Sequence, residues 1–209
     1  GKTMPESSLM FAKLSPNGKL AAYVSGNNIY VEDLSTSSIK ALTTGGTNTL
    51  INGTFDWVYE EEFYCRDGFR WSSDSKSVAY WQIDASETKK FYMINNTDAI
   101  YSEIIPIEYP KTGETPSSCK VGVVTIEDAK TTWMHIPGDP RQNYLVRMEF
   151  IPSTQKLLIQ QLSRNQNHSK LFISEPKTGS SIIINEEKNN SWINIYRNDL
   201  VKYNIDFTN

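Results

Sequence analysis

The chain has 209 residues, 38% hydrophobic and 11% aromatic, enough to bury a sizeable core and too polar for a membrane-embedded protein. Its 21 basic and 24 acidic residues are spread along the sequence and leave a formal net charge of -3, so no field favours nucleic acid or an anionic membrane. No apolar run approaches the ~18 residues of a membrane-crossing helix, and the opening Gly1-Lys2-Thr3-Met4-Pro5 lacks the basic-then-apolar pattern of a secretion signal.

In chain order, short runs of Val, Ile, Tyr, Phe and Leu alternate with polar residues between clusters of Gly, Asn, Asp, Ser and Pro, the period of strands rather than of helices. A unit recurs: an apolar residue, a turn, a Lys, then an apolar strand. The first copy runs from Leu14 through Ser15-Pro16-Asn17-Gly18-Lys19 into Leu20-Ala21-Ala22-Tyr23-Val24. The second runs from Trp71 through Ser72-Ser73-Asp74-Ser75-Lys76 into Ser77-Val78-Ala79-Tyr80-Trp81. The third runs from Phe150 through Pro152-Ser153-Thr154-Gln155-Lys156 into Leu157-Leu158-Ile159. A second hairpin follows each copy, around Ile29–Leu34, Val121–Asp128 and Leu171–Pro176.

Two hairpins per unit make a four-stranded sheet, and such a sheet buries its faces only against its neighbours, as propeller blades do. The copies are spaced more widely than the roughly 40–50 residues of a plain blade, so segments are inserted. One lies between residues 52 and 69 and holds Glu60-Glu61-Glu62; the other runs from Glu87 to Ser118 and shows no blade pattern. Three units are too few to close a ring of the usual ~4–8 blades, so the chain is read as a fragment.

The other chemistry-bearing residues give weak signals. Cys65 and Cys119 have no zinc-like spacing, and a bond between them stays open. Cys65 is expected to pack rather than to line a site. His135 is expected at a strand position and His168 in a hairpin turn, neither as a metal ligand. Arg164 and Asn167 are expected in a turn with satisfied side chains. Sequons begin at Asn52, Asn95, Asn167 and Asn189, and decide nothing in an Asn-rich chain.

The string Asp56-Trp57-Val58-Tyr59-Glu60-Glu61-Glu62-Phe63 is similar to the hallmark of the dipeptidyl peptidase IV family. The order around it agrees: Tyr109-Pro110-Lys111-Thr112-Gly113 is close to the family's Tyr-Pro-Lys-Ala-Gly, and Arg164-Asn165-Gln166-Asn167 resembles its Arg-x-Gln-Asn. The resemblance spans roughly residues 11 to 195. It implies an N-terminal propeller capping a C-terminal α/β-hydrolase domain, in an enzyme that releases X-Pro and X-Ala dipeptides from free N-termini. Residues 1–209 are then a fragment of the propeller domain, with the hydrolase domain outside this chain.

In that family the last two Glu of the motif, here Glu61 and Glu62, hold the substrate's α-amino group. An ammonium offers three donors and one charge, and two fixed carboxylates measure a dipeptide's length from the scissile bond. Neighbouring strand residues face opposite ways, whereas on a helix they lie about 100° apart and can converge. Tyr59 to Phe63 is therefore expected to form a helical turn. Three Glu in an arbitrary sequence would be a solvated surface; the flanking Trp57, Val58, Tyr59 and Phe63 argue for a turn packed down and aimed, with Glu60 structural. The fold class is thus all-β, a partial propeller of about three to four four-stranded blades with a short helical turn carrying the Glu motif.

No Gly-x-Ser-x-Gly elbow occurs, so no catalytic residue is assigned, and neither a metal nor a cofactor is expected. The resemblance places an Arg that assists the Glu pair upstream of Gly1 and further substrate contacts beyond Asn209. It also implies homodimer contacts through the 87–118 excursion, and a bacterial parent that is periplasmic or secreted. Two alternatives stay open: a non-catalytic propeller serving protein contacts, as in family members that lost activity, and the propeller of a prolyl tripeptidyl peptidase.

Overall fold

The alternating pattern folds into three larger antiparallel sheets and one two-stranded sheet in a computed structural model that describes residues 9–195. The expectation for Gly1 to Pro5 falls outside those residues. The first sheet has the order β1 (Met10–Leu14), β2 (Leu20–Ser25), β3 (Asn28–Asp33), β4 (Ile39–Ala41). Its β1–β2 turn is the first repeat, where Gly18 takes φ +70°; Ser75 takes the equivalent place in the second copy with φ 61°. Ser15 N–H to Leu20 O and Ser72 N–H to Ser77 O close the two turns alike.

The second sheet is built on β7 (Ser77–Asp84), flanked on one side by β10 (Ser118–Thr125) and then β11 (Thr131–Trp133). On its other side two short strands share the length of β7. Residues 50–52 of β5 (Leu50–Asn52) pair with 82–84, and residues 69–71 of β6 (Phe69–Trp71) pair with 78–80. Together they are one inner strand opened by an insertion. The insertion leaves and returns between Gly53 and Gly68, whose backbones bond at 3.0 Å opposite Trp81. Gly53 stands at φ +79°, and a Cβ on Gly68 would lie 2.5 Å from the Gly53 carbonyl carbon, so this pinch requires glycine. The third sheet has the order β12 (Asn143–Phe150), β13 (Leu157–Ser163), β14 (His168–Ser174), β15 (Ser181–Lys188).

These sheets stack as blades because β7 is apolar on both faces. Val78 and Tyr80 meet Ala22, Val24, Ile29 and Val31 of the first blade. The alternate residues Ala79, Trp81 and Ile83 meet Val146, Met148 and Ile159 of the third. The blades form an open arc among the described residues. The 87–118 excursion, whose sequence lacks a blade pattern, forms a separate hairpin, β8 (Lys90–Asn95) and β9 (Glu103–Glu108), ending at the first residue of β10. Two further expectations change: His135 lies beyond β11 in irregular chain, its N–H on the Gly179 carbonyl, and His168 opens β14 rather than sitting in a turn.

Candidate functional site

Within the insertion, Trp57–Phe63 forms the helical segment α1, as the helical-turn argument anticipates. Asp56 caps it: the carboxylate accepts the Tyr59 N–H at 3.1 Å with one oxygen and the Ser117 hydroxyl at 2.6 Å with the other. Burial pushes the Asp56 carboxyl upward in pKa, and these hydrogen bonds oppose the shift. The cap therefore ties the helix start to the chain returning from the 87–118 excursion.

Tyr59 and Phe63, one helical turn apart, form the buried face, inserted between the second and third blades. The Tyr59 ring stacks on Phe55 at 5.5 Å, and Phe63 meets Tyr144 at 4.9 Å. Tyr59 Oη accepts the Leu145 N–H, and Arg147 Nη1 donates to the Phe63 carbonyl at 3.2 Å. Both ends and one side of the segment are thereby held.

With Tyr59 and Phe63 inward, steps of about 100° fix where the other side chains go. Trp57, Val58, Glu61 and Glu62 fall on one side and line a cavity of about 690 Å³; Glu60 falls on the other flank and does not. Glu60 is half-buried, and desolvation raises its carboxyl.

The facing wall is Tyr109 to Gly113 from the root of the excursion, and the third wall is Arg164 to Gln166 from the β13–β14 turn, with Tyr144 and Trp192. The three segments singled out in the sequence thus meet at one cavity. The Trp57 and Tyr109 rings lie 4.3 Å apart. Arg164 Nη2 donates to the Glu114 carbonyl at 2.5 Å, fastening the excursion root to the third blade. Gln166 Nε2 donates to Glu62 Oε1 at 2.7 Å. Glu61 and Glu62 are exposed to the cavity, and Glu61 has no hydrogen-bond or ion-pair partner among the described residues. Two carboxylates thus lie on one helical flank beside the Trp57, Tyr109 and Tyr144 rings.

Residues 2–206 match the family described as the dipeptidyl peptidase IV (DPP IV) N-terminal region. The chain belongs to this family. Dipeptidyl aminopeptidase B of Saccharomyces cerevisiae is 32% identical over 194 residues, 89% of this chain and 24% of that protein. Inactive dipeptidyl peptidase 10 of Rattus norvegicus is 29% identical over 193 residues, 90% of this chain and 24% of its own. The crystal structure of Porphyromonas gingivalis dipeptidyl peptidase 4 superposes with a TM-score of 0.85 at 29% identity, covering 93% of this chain and 27% of that one. This DPP IV N-terminal region thus spans about a quarter of the length of the curated relatives it matches.

One expectation from the resemblance is overturned here. The expected periplasmic or secreted location conflicts with these curated relatives, which come from yeast and rat. That placement is withdrawn. Among the described residues no helix is long and apolar enough to cross a membrane, and no cluster of His, Cys, Asp and Glu could hold a metal.

Cys65 and Cys119 are free thiols. Cys65 packs against the core and donates to the Val146 carbonyl at 3.5 Å, facing a second cavity across α1 rather than the Glu61 and Glu62 site. Asn167 behaves as a turn residue, accepting the Ser163 hydroxyl. Sequence reasoning gave Gln166 and Arg147 no role. Gln166 stood inside the Arg-x-Gln-Asn match, which was the available signal; Arg147 is one polar position in an apolar strand and gave none.

Proposed function

We propose that this chain is part of the N-terminal propeller of a DPP IV-like serine exopeptidase, and that Glu61 and Glu62 receive the α-amino group of a peptide substrate. Residues 1–209 belong to the propeller in this reading, and the parent carries a C-terminal hydrolase domain that supplies the nucleophile. The cleavage is release of X-Pro or X-Ala dipeptides. The observation that carries the proposal is the meeting of three sequence-distant segments at one cavity with Glu61 and Glu62 on the same helical flank.

The chemistry follows from that placement. A free amine is charged at neutral pH, so a carboxylate pair attracts it, and a blocked amine offers neither the charge nor three donors. Because α1 is capped, stacked and bonded to both neighbouring segments, the pair is held before the substrate arrives, and little ordering entropy is lost on binding. The amine then sets how far the peptide reaches toward the hydrolase domain.

The test is Glu61→Gln and Glu62→Gln in the full-length protein, assayed with X-Pro substrates bearing free or acetylated amines. The expected result is a KM at least about tenfold higher on the free-amine substrate, since a charge-assisted hydrogen bond is lost. Unchanged selectivity between free and acetylated substrates would sink the assignment.

A second reading is favoured by one finding: a relative 29% identical over nearly the whole chain is named an inactive dipeptidyl peptidase. In that reading the propeller serves protein contacts, and the full-length protein binds free amines without cleaving X-Pro substrates.

A further inference from the structure

Gln166 sits in the left-handed backbone region with φ 54°, in the turn between β13 and β14. That conformation favours Gly or Asn, yet the position carries a long amide side chain. The turn is fixed on both sides: Gln166 N–H donates to the Ser163 carbonyl at 2.8 Å, and its own carbonyl accepts the Ile193 N–H at 2.8 Å. From this anchored base the side chain reaches 104 residues back in sequence to place its Nε2 2.7 Å from Glu62 Oε1.

We propose that Gln166 is a positioning residue for Glu62: it fixes the rotamer of that carboxylate and occupies Oε1, so that Oε2, together with Glu61, faces the incoming ammonium. This rests on the reading of Glu61 and Glu62 as the amine site. An exposed Glu on so short a helix otherwise distributes over several rotamers, and ordering it falls to the ligand. An amide is suited to the task because it donates without carrying charge, so the pair's two negative charges remain for the ligand. A cation at position 166 would neutralise part of the site. A carboxylate there would compete with Glu62 for a shared proton.

The experiment uses the full-length protein and calorimetric titration with glycyl-pyrrolidine, which has a free amine and no bond for the proposed chemistry to break, against its N-acetyl form, from pH 4.5 to 8. Gln166→Gly removes the amide and the left-handed backbone cost together. It is expected to weaken binding about tenfold while the melting temperature holds or rises. Gln166→Glu keeps the shape and is expected to move the acidic limb of the binding profile upward by about one pH unit, because two carboxylates now share a proton. Wild-type affinity in Gln166→Gly together with a superimposable pH profile in Gln166→Glu overturns the proposal, as does a fall in melting temperature that accounts for the binding loss. If Glu62→Gln leaves the preference for the free amine intact, the amine site itself is what fails. If Glu62→Gln abolishes that preference while both Gln166 variants bind as wild type, only the positioning role fails.

Discussion

The Leu145 backbone N–H donates to the Tyr59 hydroxyl oxygen at 3.1 Å, across 86 residues of sequence, and both groups are buried. The Leu145 carbonyl meanwhile accepts the Trp81 indole N–H at 2.8 Å. The backbone of this one residue of the third blade therefore fixes both α1 and the central strand of the second. Tyr59→Phe leaves the ring in place and strands the Leu145 N–H. The expected loss is about 1–3 kcal/mol of stability, the range for a buried donor left unsatisfied. Urea unfolding followed by tryptophan fluorescence measures it, and a change below about 0.5 kcal/mol would place this bond outside the forces that hold the helix.

The pinch between Gly53 and Gly68 gives a second expectation. A methyl group on Gly68 meets backbone atoms of residue 53, which cannot swing aside as a side chain would. Gly68→Ala is expected to lose at least about 1–3 kcal/mol, as in other overpacked sites, and to displace α1. Gly45 offers the contrast, since a Cβ there has nothing within 4 Å. Its φ of +79° leaves only the milder backbone cost to Gly45→Ala. Thermal melts of the two variants side by side check the order; equal losses would contradict the close-approach account.

Much of this architecture is legible in the sequence because its causes are local. Pro16 and Gly18 make a turn by their own dihedral preferences, and β7 reads as a strand apolar on both faces. The helical turn follows from the resemblance, which has two adjacent carboxylates converge on one amine. The split of the inner strand into β5 and β6 is not legible, since Leu50-Ile51-Asn52 and Phe69-Arg70-Trp71 join only through their shared partner β7. Nor is the excursion hairpin, whose Tyr, Ile and Pro residues lack the inside-outside alternation of a blade because neither face is covered. The Gln166 bond to Glu62 depends on how two blades stack, which no short window of sequence encodes.

Asp56 gives an expectation with a sign. Its folded-state pKa is raised above the ordinary 3.8, by burial first of all, so the folded chain holds this proton more tightly than the unfolded one. The stability linked to that proton is fully present below 3.8 and is lost as pH rises through the raised value. At neutral pH the buried carboxylate is thus a burden that its two hydrogen bonds only partly offset. Asp56→Asn keeps the cap on the Tyr59 N–H, because Asn caps as well as Asp, and its amide can donate to the Ser117 oxygen. The variant is expected to match or exceed wild-type stability at pH 7 and to flatten the decline with rising pH above 3.8. Chemical denaturation at a series of pH values tests this; a steeper decline in the variant would reverse the sign argued here.

The excursion hairpin supplies the last expectation. Ile100 is 99% exposed and Tyr101 86%, and Tyr92, Ile94 and Ile104 lie open on the strands. This is an apolar surface of the kind that marks a contact site. Its root is the wall of the Glu61 and Glu62 cavity: the Tyr109 ring packs at a tilt between Phe91 of the hairpin, at 5.7 Å, and Trp57 of α1, at 4.3 Å. If a second copy of the full-length protein covers the hairpin, Ile94→Lys with Ile104→Lys places cations in that contact and should shift sedimentation from dimer to monomer. The melting temperature should stay within about 2 °C, because exposed substitutions rarely change stability by more than ~0.5 kcal/mol. A dimer that survives both substitutions would assign self-association to another surface. A monomer with weakened binding of free amines would show that the contact acts on the site through Tyr109.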